Sequence, residues 1–207
     1  MINLIFDLDG TLIDSMDSVW DALAATCKVD AITLRQCSIN GKTLDQTIDI
    51  VRDKISLVES SAAIKKKFIE LYDAEFCVAV KFFHNVDKIL PQLARNNHLF
   101  LVTNKRRGPT VKILDCLGFS EYFAEVYCID DLPAPCEKAN LIMLLASDHG
   151  VKASDCVYIG DTMDDFLAAT NCGMSFIHAA WDRCREHESI EGAVACYKDP
   201  YDMVEFF

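Results

Sequence analysis

The chain opens with a short apolar run, Ile2-Asn3-Leu4-Ile5-Phe6, that ends abruptly in Asp7-Leu8-Asp9-Gly10-Thr11-Leu12-Ile13-Asp14-Ser15. A run this short, bounded by a turn signal and rich in large aliphatics, is the pattern of a strand buried on both faces of a parallel sheet. Ligands in open α/β sheets bind beyond the carboxyl ends of the strands, so the acidic segment falls on the expected active edge. With extended backbone through Asp7-Leu8-Asp9, the period of two sends both aspartates to one side and Leu8 into the core. Two carboxylates in one small space raise each other's pKa unless a cation lies between them, and hard oxygen ligands of this kind suit Mg2+. Gly10 lets the backbone turn and approach a ligand, and Thr11 adds a hydroxyl.

Asp-Gly alone is an ordinary strand exit, with a helix cap at Asp14 or Ser15. Asp-x-Asp-Gly-Thr directly after an apolar strand is far more specific. Asp7-Leu8-Asp9-Gly10-Thr11 resembles the first motif of the haloacid-dehalogenase-like hydrolase superfamily, and more narrowly its phosphoglycolate phosphatase and β-phosphoglucomutase branch. The resemblance implies that Asp7 is a nucleophile that takes up a phosphoryl group and that Asp9 is a general acid and base.

Composition narrows the setting. The 207 residues are 51% hydrophobic and 25% charged, as in an ordinary globular protein. A formal charge of -12 argues against nonspecific nucleic-acid binding and against anionic membrane surfaces, and it makes a local cation necessary at any phosphate site. No segment reaches the roughly 18 to 20 apolar residues of a membrane span, and no basic leader precedes the first strand, so a soluble cytoplasmic protein is expected. Ten cysteines occur without a Cys-x-x-Cys pair, scattered along apolar stretches, and read as reduced structural thiols.

Beyond Ser15, read as a cap, Val19, Trp20, Leu23, Ala24 and Cys27 fall at helical spacing; Thr43 to Ile55 and Ser60 to Val80 give two further helices. Residues 16 to 80 contain no convincing strand and read as a helical insertion. The resemblance makes this insertion a cap that shapes the substrate pocket, with residues 1–15 and 81–207 forming the core domain. Lys42, in Asn40-Gly41-Lys42-Thr43, is the candidate substrate-touching residue, against its plainer reading as a solvated lysine near a helix start. Lys65-Lys66-Lys67 reads as a solvated helix face, because three consecutive residues cannot all point toward one ligand.

A second strand, Leu99 to Val102, runs into Thr103-Asn104-Lys105; a third spans Val126 to Ile129, a fourth Cys156 to Ile159, a fifth Ser175 to Ala179, and Pro200 to Phe207 closes as a short helix. Thr-Asn at a strand end is by itself an ordinary turn. The resemblance implies that Thr103 and Asn104 hold phosphoryl oxygens. Lys138 opens a helix, where the macrodipole favours acids, so its placement asks for another explanation. The resemblance supplies one, a lysine holding the nucleophilic aspartate and the phosphoryl group. Gly160-Asp161-Thr162-Met163-Asp164-Asp165 resembles the family's fourth motif, in which Asp161 binds Mg2+ and Asp165 supports the ion or Lys138.

The expectation is therefore an α/β chain, a three-layer Rossmann-like core with a parallel sheet and an inserted helical cap. Its activity would be a Mg2+-dependent phosphatase acting on a small phosphorylated metabolite through an aspartyl phosphate. Catalysis falls to Asp7, Asp9 and Lys138, phosphate binding to Thr103, Asn104 and Lys138, and the metal to Asp7, Asp9, Asp161 and Asp165. A phosphosugar mutase is the nearest rival, and a non-catalytic regulatory or binding member is the rival from another class. Phosphoglycolate, a sugar phosphate and a nucleotide all stay open as substrates.

Overall fold

The computed structural model describes residues 1–37, 43–182 and 189–207. In chain order its elements begin with β1 (Asn3–Phe6), β2 (Ile13–Asp14), α1 (Met16–Cys27), α2 (Ala31–Leu34), α3 (Leu44–Lys54) and α4 (Ser61–Leu71), the last followed by a π-helical turn, Tyr72–Phe76. Next come β3 (Lys81–Phe82), α5 (Val86–Leu93), β4 (His98–Thr103), α6 (Arg107–Leu117), β5 (Phe123–Cys128) and α7 (Lys138–His149). The chain ends with β6 (Cys156–Gly160), α8 (Met163–Asn171), β7 (Ser175–Ala179), β8 (Ala195–Tyr197) and a 3-10 segment, Pro200–Phe206. Two compact units result, Met1–Asp14 with Lys81–Phe207, and Ser15–Val80.

The first unit carries a six-stranded sheet in the order β5-β4-β1-β6-β7-β8, with every neighbouring pair parallel. β1 lies inside this sheet, between β4 and β6, and all four of its residues are buried. Register neighbours Ile5, Phe100, Tyr158 and Phe176 share one face, packed with Leu141, Ile142 and Leu145 of α7 and Ala168 and Ala169 of α8. Leu4, Phe6, Leu99, Leu101, Ile159 and Ile177 point the other way by the period of two, and they too are buried. Burial on both faces demands helices on both, the three-layer α/β arrangement. α5 and α6 add Val86, Ile89, Leu90, Leu93, Ile113 and Leu114 to the core, and Gly118, at φ +73°, ends α6 in the left-handed region.

The second unit is helical throughout its described residues. Trp20, Leu23, Ile48, Val51, Ile64, Phe68 and Tyr72 form its interior. Thr43 starts α3 with a reciprocal capping box to Gln46, and Ser60 starts α4 by accepting the Ala63 N–H at 3.3 Å. Lys65 and Lys67 lie at the surface as expected, engaged with Asp45 at 2.7 Å and Glu59 at 2.5 Å.

Several elements differ from the sequence expectation. Ser15 occupies the N-cap position of α1 without a side-chain cap hydrogen bond, and the Ser18 hydroxyl donates to the Ser15 carbonyl. β5 starts at Phe123 and stops at Cys128, because Ile129 already begins a 3-10 turn. The long helix from residue 60 ends at Leu71 and loosens into the π-helical turn. β8 and the two-residue pairing of Ile13–Asp14 with Phe82–Lys81 are two further elements outside that expectation.

Packing makes the central strand the most sensitive. Ile5→Ala is expected to cost about 2–5 kcal/mol in urea unfolding, whereas Ile2→Ala, at a position 38% exposed, should cost less than about 0.5 kcal/mol.

Candidate active site

The residues of interest meet where three adjacent strands end. β1 delivers Asp7, β4 ends on Thr103 and β6 leads into Asp161. The Asp7 N–H donates to the Ile159 carbonyl at 2.9 Å, so sheet bonding continues one residue past β1. The backbone then bends at Leu8, which is fully buried, and Gly10 turns it at φ +84°. The extended path expected through Asp9 is therefore broken, and the two aspartates of the motif go to different partners.

Asp7 shares its side of the sheet with Ile5, the side covered by α7, and meets Lys138 at the first turn of that helix. Lys138 Nζ lies 3.0 Å from Asp7 Oδ1 and forms a short ion pair with Asp165 Oδ1. It also sits 5.8 Å over the ring of Tyr158, whose hydroxyl donates to the Val102 carbonyl at 2.9 Å. These acids account for a lysine at a helix start. Burial alone would lower the Lys138 ammonium, but Asp165 and Asp7 outweigh it and hold its pKa well above the usual lysine range. Burial pushes the Asp7 carboxyl up to about 7, with Lys138 opposing and the Asp165 and Asp9 charges reinforcing the rise.

Asp165 is fully buried and carries two duties. One oxygen faces Lys138, while the other accepts the Thr162 N–H at 3.1 Å and its hydroxyl at 2.6 Å. The Thr162 hydroxyl returns a cap to the Asp165 N–H, closing a capping box at the start of α8. Thr162 received no role in the sequence reading, although its spacing of three from Asp165 is the capping-box signal.

Among the described residues, Asp7, Asp161 and Asp165 each offer an oxygen within 4.8 Å of the others. Asp7 Oδ1 is buried and, despite its distance to Lys138, has no donor in hydrogen-bond alignment. That oxygen is paired by charge with the Lys138 ammonium, and its lone pairs are open to a second cation. The all-oxygen donor set suits a hard divalent ion such as Mg2+. With all four ionised, Asp7, Asp9, Asp161 and Asp165 against Lys105 and Lys138 leave a charge of −2, which one such ion would balance.

Asp9 is engaged elsewhere through its side chain. Its carboxylate stays outside the group of three and receives Lys105 Nζ at 2.9 and 3.2 Å. Lys105 is a site residue the sequence reading passed over. Its partner lies 96 positions away, so no local spacing marks the pair. Thr103 is buried at the end of β4 and its hydroxyl accepts the Lys105 N–H at 3.2 Å, while Asn104 is exposed on the bend that follows. Lys42 lies outside the described residues.

Glycine is required at the turn for two reasons. A Cβ on Gly10 would stand 2.2 Å from Asp161 Oδ2, and its φ is left-handed. The side chain that approaches Gly10 is thus Asp161, whose other oxygen receives the Thr11 hydroxyl at 3.3 Å.

Strand-end carboxylates around a buried lysine, on a parallel sheet flanked by helices, define an α/β protein with a charged cluster at the carboxyl edge of its sheet. A family model described as "Haloacid dehalogenase-like hydrolase" matches residues 4–179. A phosphoglycolate phosphatase of Xanthomonas campestris pv. campestris is 30% identical over 184 residues, covering 86% of this chain and 82% of the relative. A haloacid dehalogenase-like hydrolase from Streptococcus pneumoniae superposes with a TM-score of 0.80 at 20% identity, over 100% of this chain and 98% of the other. A protein from Thermotoga maritima titled for β-phosphoglucomutase reaches 0.77 at 19% identity, over 100% and 98%. The chain belongs to the haloacid dehalogenase-like hydrolase family. It is an enzyme, a phosphoric monoester hydrolase.

Gly10→Ala is expected to lose about 1–3 kcal/mol of stability from backbone strain and to cut turnover sharply by displacing Asp161. Gly118→Ala, at φ +73° in open space, should show comparable strain with turnover intact. Thermal unfolding and phosphate release on both variants check this.

Proposed function

We propose that the chain is a Mg2+-dependent phosphatase that hydrolyses a small phosphorylated metabolite through an aspartyl phosphate on Asp7, with phosphoglycolate as the leading candidate. The observation that carries this reading is Asp7 itself, a buried strand-end carboxylate paired by charge with Lys138 and grouped with Asp161 and Asp165. The curated relatives' name supports the choice of phosphoglycolate.

In the first step Asp7 forms a bond to phosphorus as the ester P–O bond breaks, and Asp9 gives its proton to the departing oxygen. In the second, Asp9 takes a proton from water, whose oxygen attacks the phosphorus of the aspartyl phosphate. Inorganic phosphate leaves and the Asp7 carboxylate is restored. Lys138 keeps its position against Asp7 through both steps because Asp165 holds its other side. Thr103 and Asn104, at the end of the neighbouring strand, would face the phosphoryl oxygens. A bound Mg2+, held by Asp7 and Asp161 with Asp165 behind them, would supply neutralisation of the phosphoryl charge. The helical unit, Ser15–Val80, is the candidate cap, and Lys42 remains its proposed substrate-binding residue.

The deciding experiment is phosphate release from a panel of phosphomonoesters, in Mg2+ and in excess chelator, by wild type and Asp7→Asn. Turnover in Mg2+, loss in chelator and at least about 10^3-fold loss in Asp7→Asn are expected. Activity of Asp7→Asn within tenfold of wild type would sink the assignment, and isomer formation without phosphate release would assign a mutase.

A further inference from the structure

The second lysine of the site has no part in the scheme above. Lys105 follows the strand-end Thr103 by two residues, and its side chain is only 10% exposed. Its backbone is tied on both sides: the N–H donates to Thr103 Oγ1 at 3.2 Å, and the carbonyl accepts the Ile129 N–H at 3.3 Å. From this fixed base Nζ reaches both oxygens of Asp9, at 2.9 and 3.2 Å.

Asp9 needs such an anchor more than Asp7 does. Asp7 is enclosed, its side chain 9% exposed and pinned at Lys138, whereas the Asp9 side chain is 34% exposed. It stands between the bend at Leu8 and the left-handed turn at Gly10, joined to the chain beyond by an isolated bridge to Ile13. A short carboxylate on such a turn has two side-chain torsions to fix. A cation that contacts both oxygens fixes them. The two lysines therefore divide the labour, Lys138 serving Asp7 and Asp165 while Lys105 serves Asp9.

We propose that Lys105 is a positioning residue for this reaction: it holds the Asp9 carboxylate by both oxygens in the orientation from which the leaving oxygen is reached. This rests on the phosphatase reading. Lys105 acts through Asp9, so its removal lowers kcat and leaves KM and cation binding in place. The loss is largest where the departing oxygen most needs a proton. An alkyl phosphate has such a leaving group, and an aryl phosphate does not.

The test compares wild type, Lys105→Met and Lys105→Arg on 2-glycerol phosphate and p-nitrophenyl phosphate, with melting curves in Mg2+ and in chelator. Lys105→Met is expected to lose at least about thirtyfold in kcat on glycerol phosphate but less than about fivefold on p-nitrophenyl phosphate, with KM changed less than about threefold. Lys105→Arg, which still donates to both oxygens, should recover most of the kcat. Mg2+ should raise the melting temperature of all three proteins alike. Should Lys105→Met fail to fold, Lys105→Gln is expected to show the same split between substrates. An equal loss on both substrates, a raised KM at unchanged kcat, or a lost Mg2+ response would overturn the proposal. Wild-type protein that releases phosphate from neither ester would overturn the phosphatase reading itself, and this proposal with it.

Discussion

Lys138 between Asp7 and Asp165 is the contact on which the rest of the site depends. All three groups are removed from water, at side-chain exposures of 7%, 9% and 0%. Burying such charges costs several kcal/mol per ion, and removing one partner of a buried pair costs about 3–5 kcal/mol because the other is left stranded. The arrangement persists because each member is held from more than one direction. Asp165 is locked by Thr162, Lys138 lies over Tyr158, and Asp7 is fixed by the strand that carries it. The surplus of negative charge that remains is what the proposed divalent cation would answer.

Parallel pairing explains why these residues converge. β1 lies between β4 and β6, so their carboxyl ends open on one edge. α7 packs on the same face as Ile5 and Tyr158, which brings its first turn, and Lys138, under Asp7. The tight turn at Gly10 then lets Asp161 lie against the backbone of the first motif. No single element makes the site; three strand ends and two helix starts do.

The inner strands were legible because buried parallel strands read as unbroken apolar runs, and each ends on a chemically distinctive residue. Asp7 could be singled out on that basis; Asp161 and Lys138 were marked by the resemblance to the family's motifs, Lys138 also because it runs against the helix dipole. Local pattern failed where a partner is distant. Asp9 with Lys105, and Ile13–Asp14 with Lys81–Phe82, are joined across long stretches of chain. β8 escaped notice although residues 193–197 are an unbroken apolar run: as a three-residue edge strand, half-buried at best, it lacks the large aliphatics of the inner strands. The path of Asp9 was misjudged for a further reason: the backbone bends at Leu8, and a period-two argument holds only while the strand stays extended.

The central claim is that the buried carboxylate of Asp7, not water, makes the first bond to phosphorus. Acid quenching during turnover, borohydride reduction of any acyl phosphate and peptide mapping test it directly. The account predicts reduction of residue 7 to homoserine in the substrate-treated protein only. Efficient phosphate release with residue 7 never reduced, or reduction at another aspartate, would contradict it.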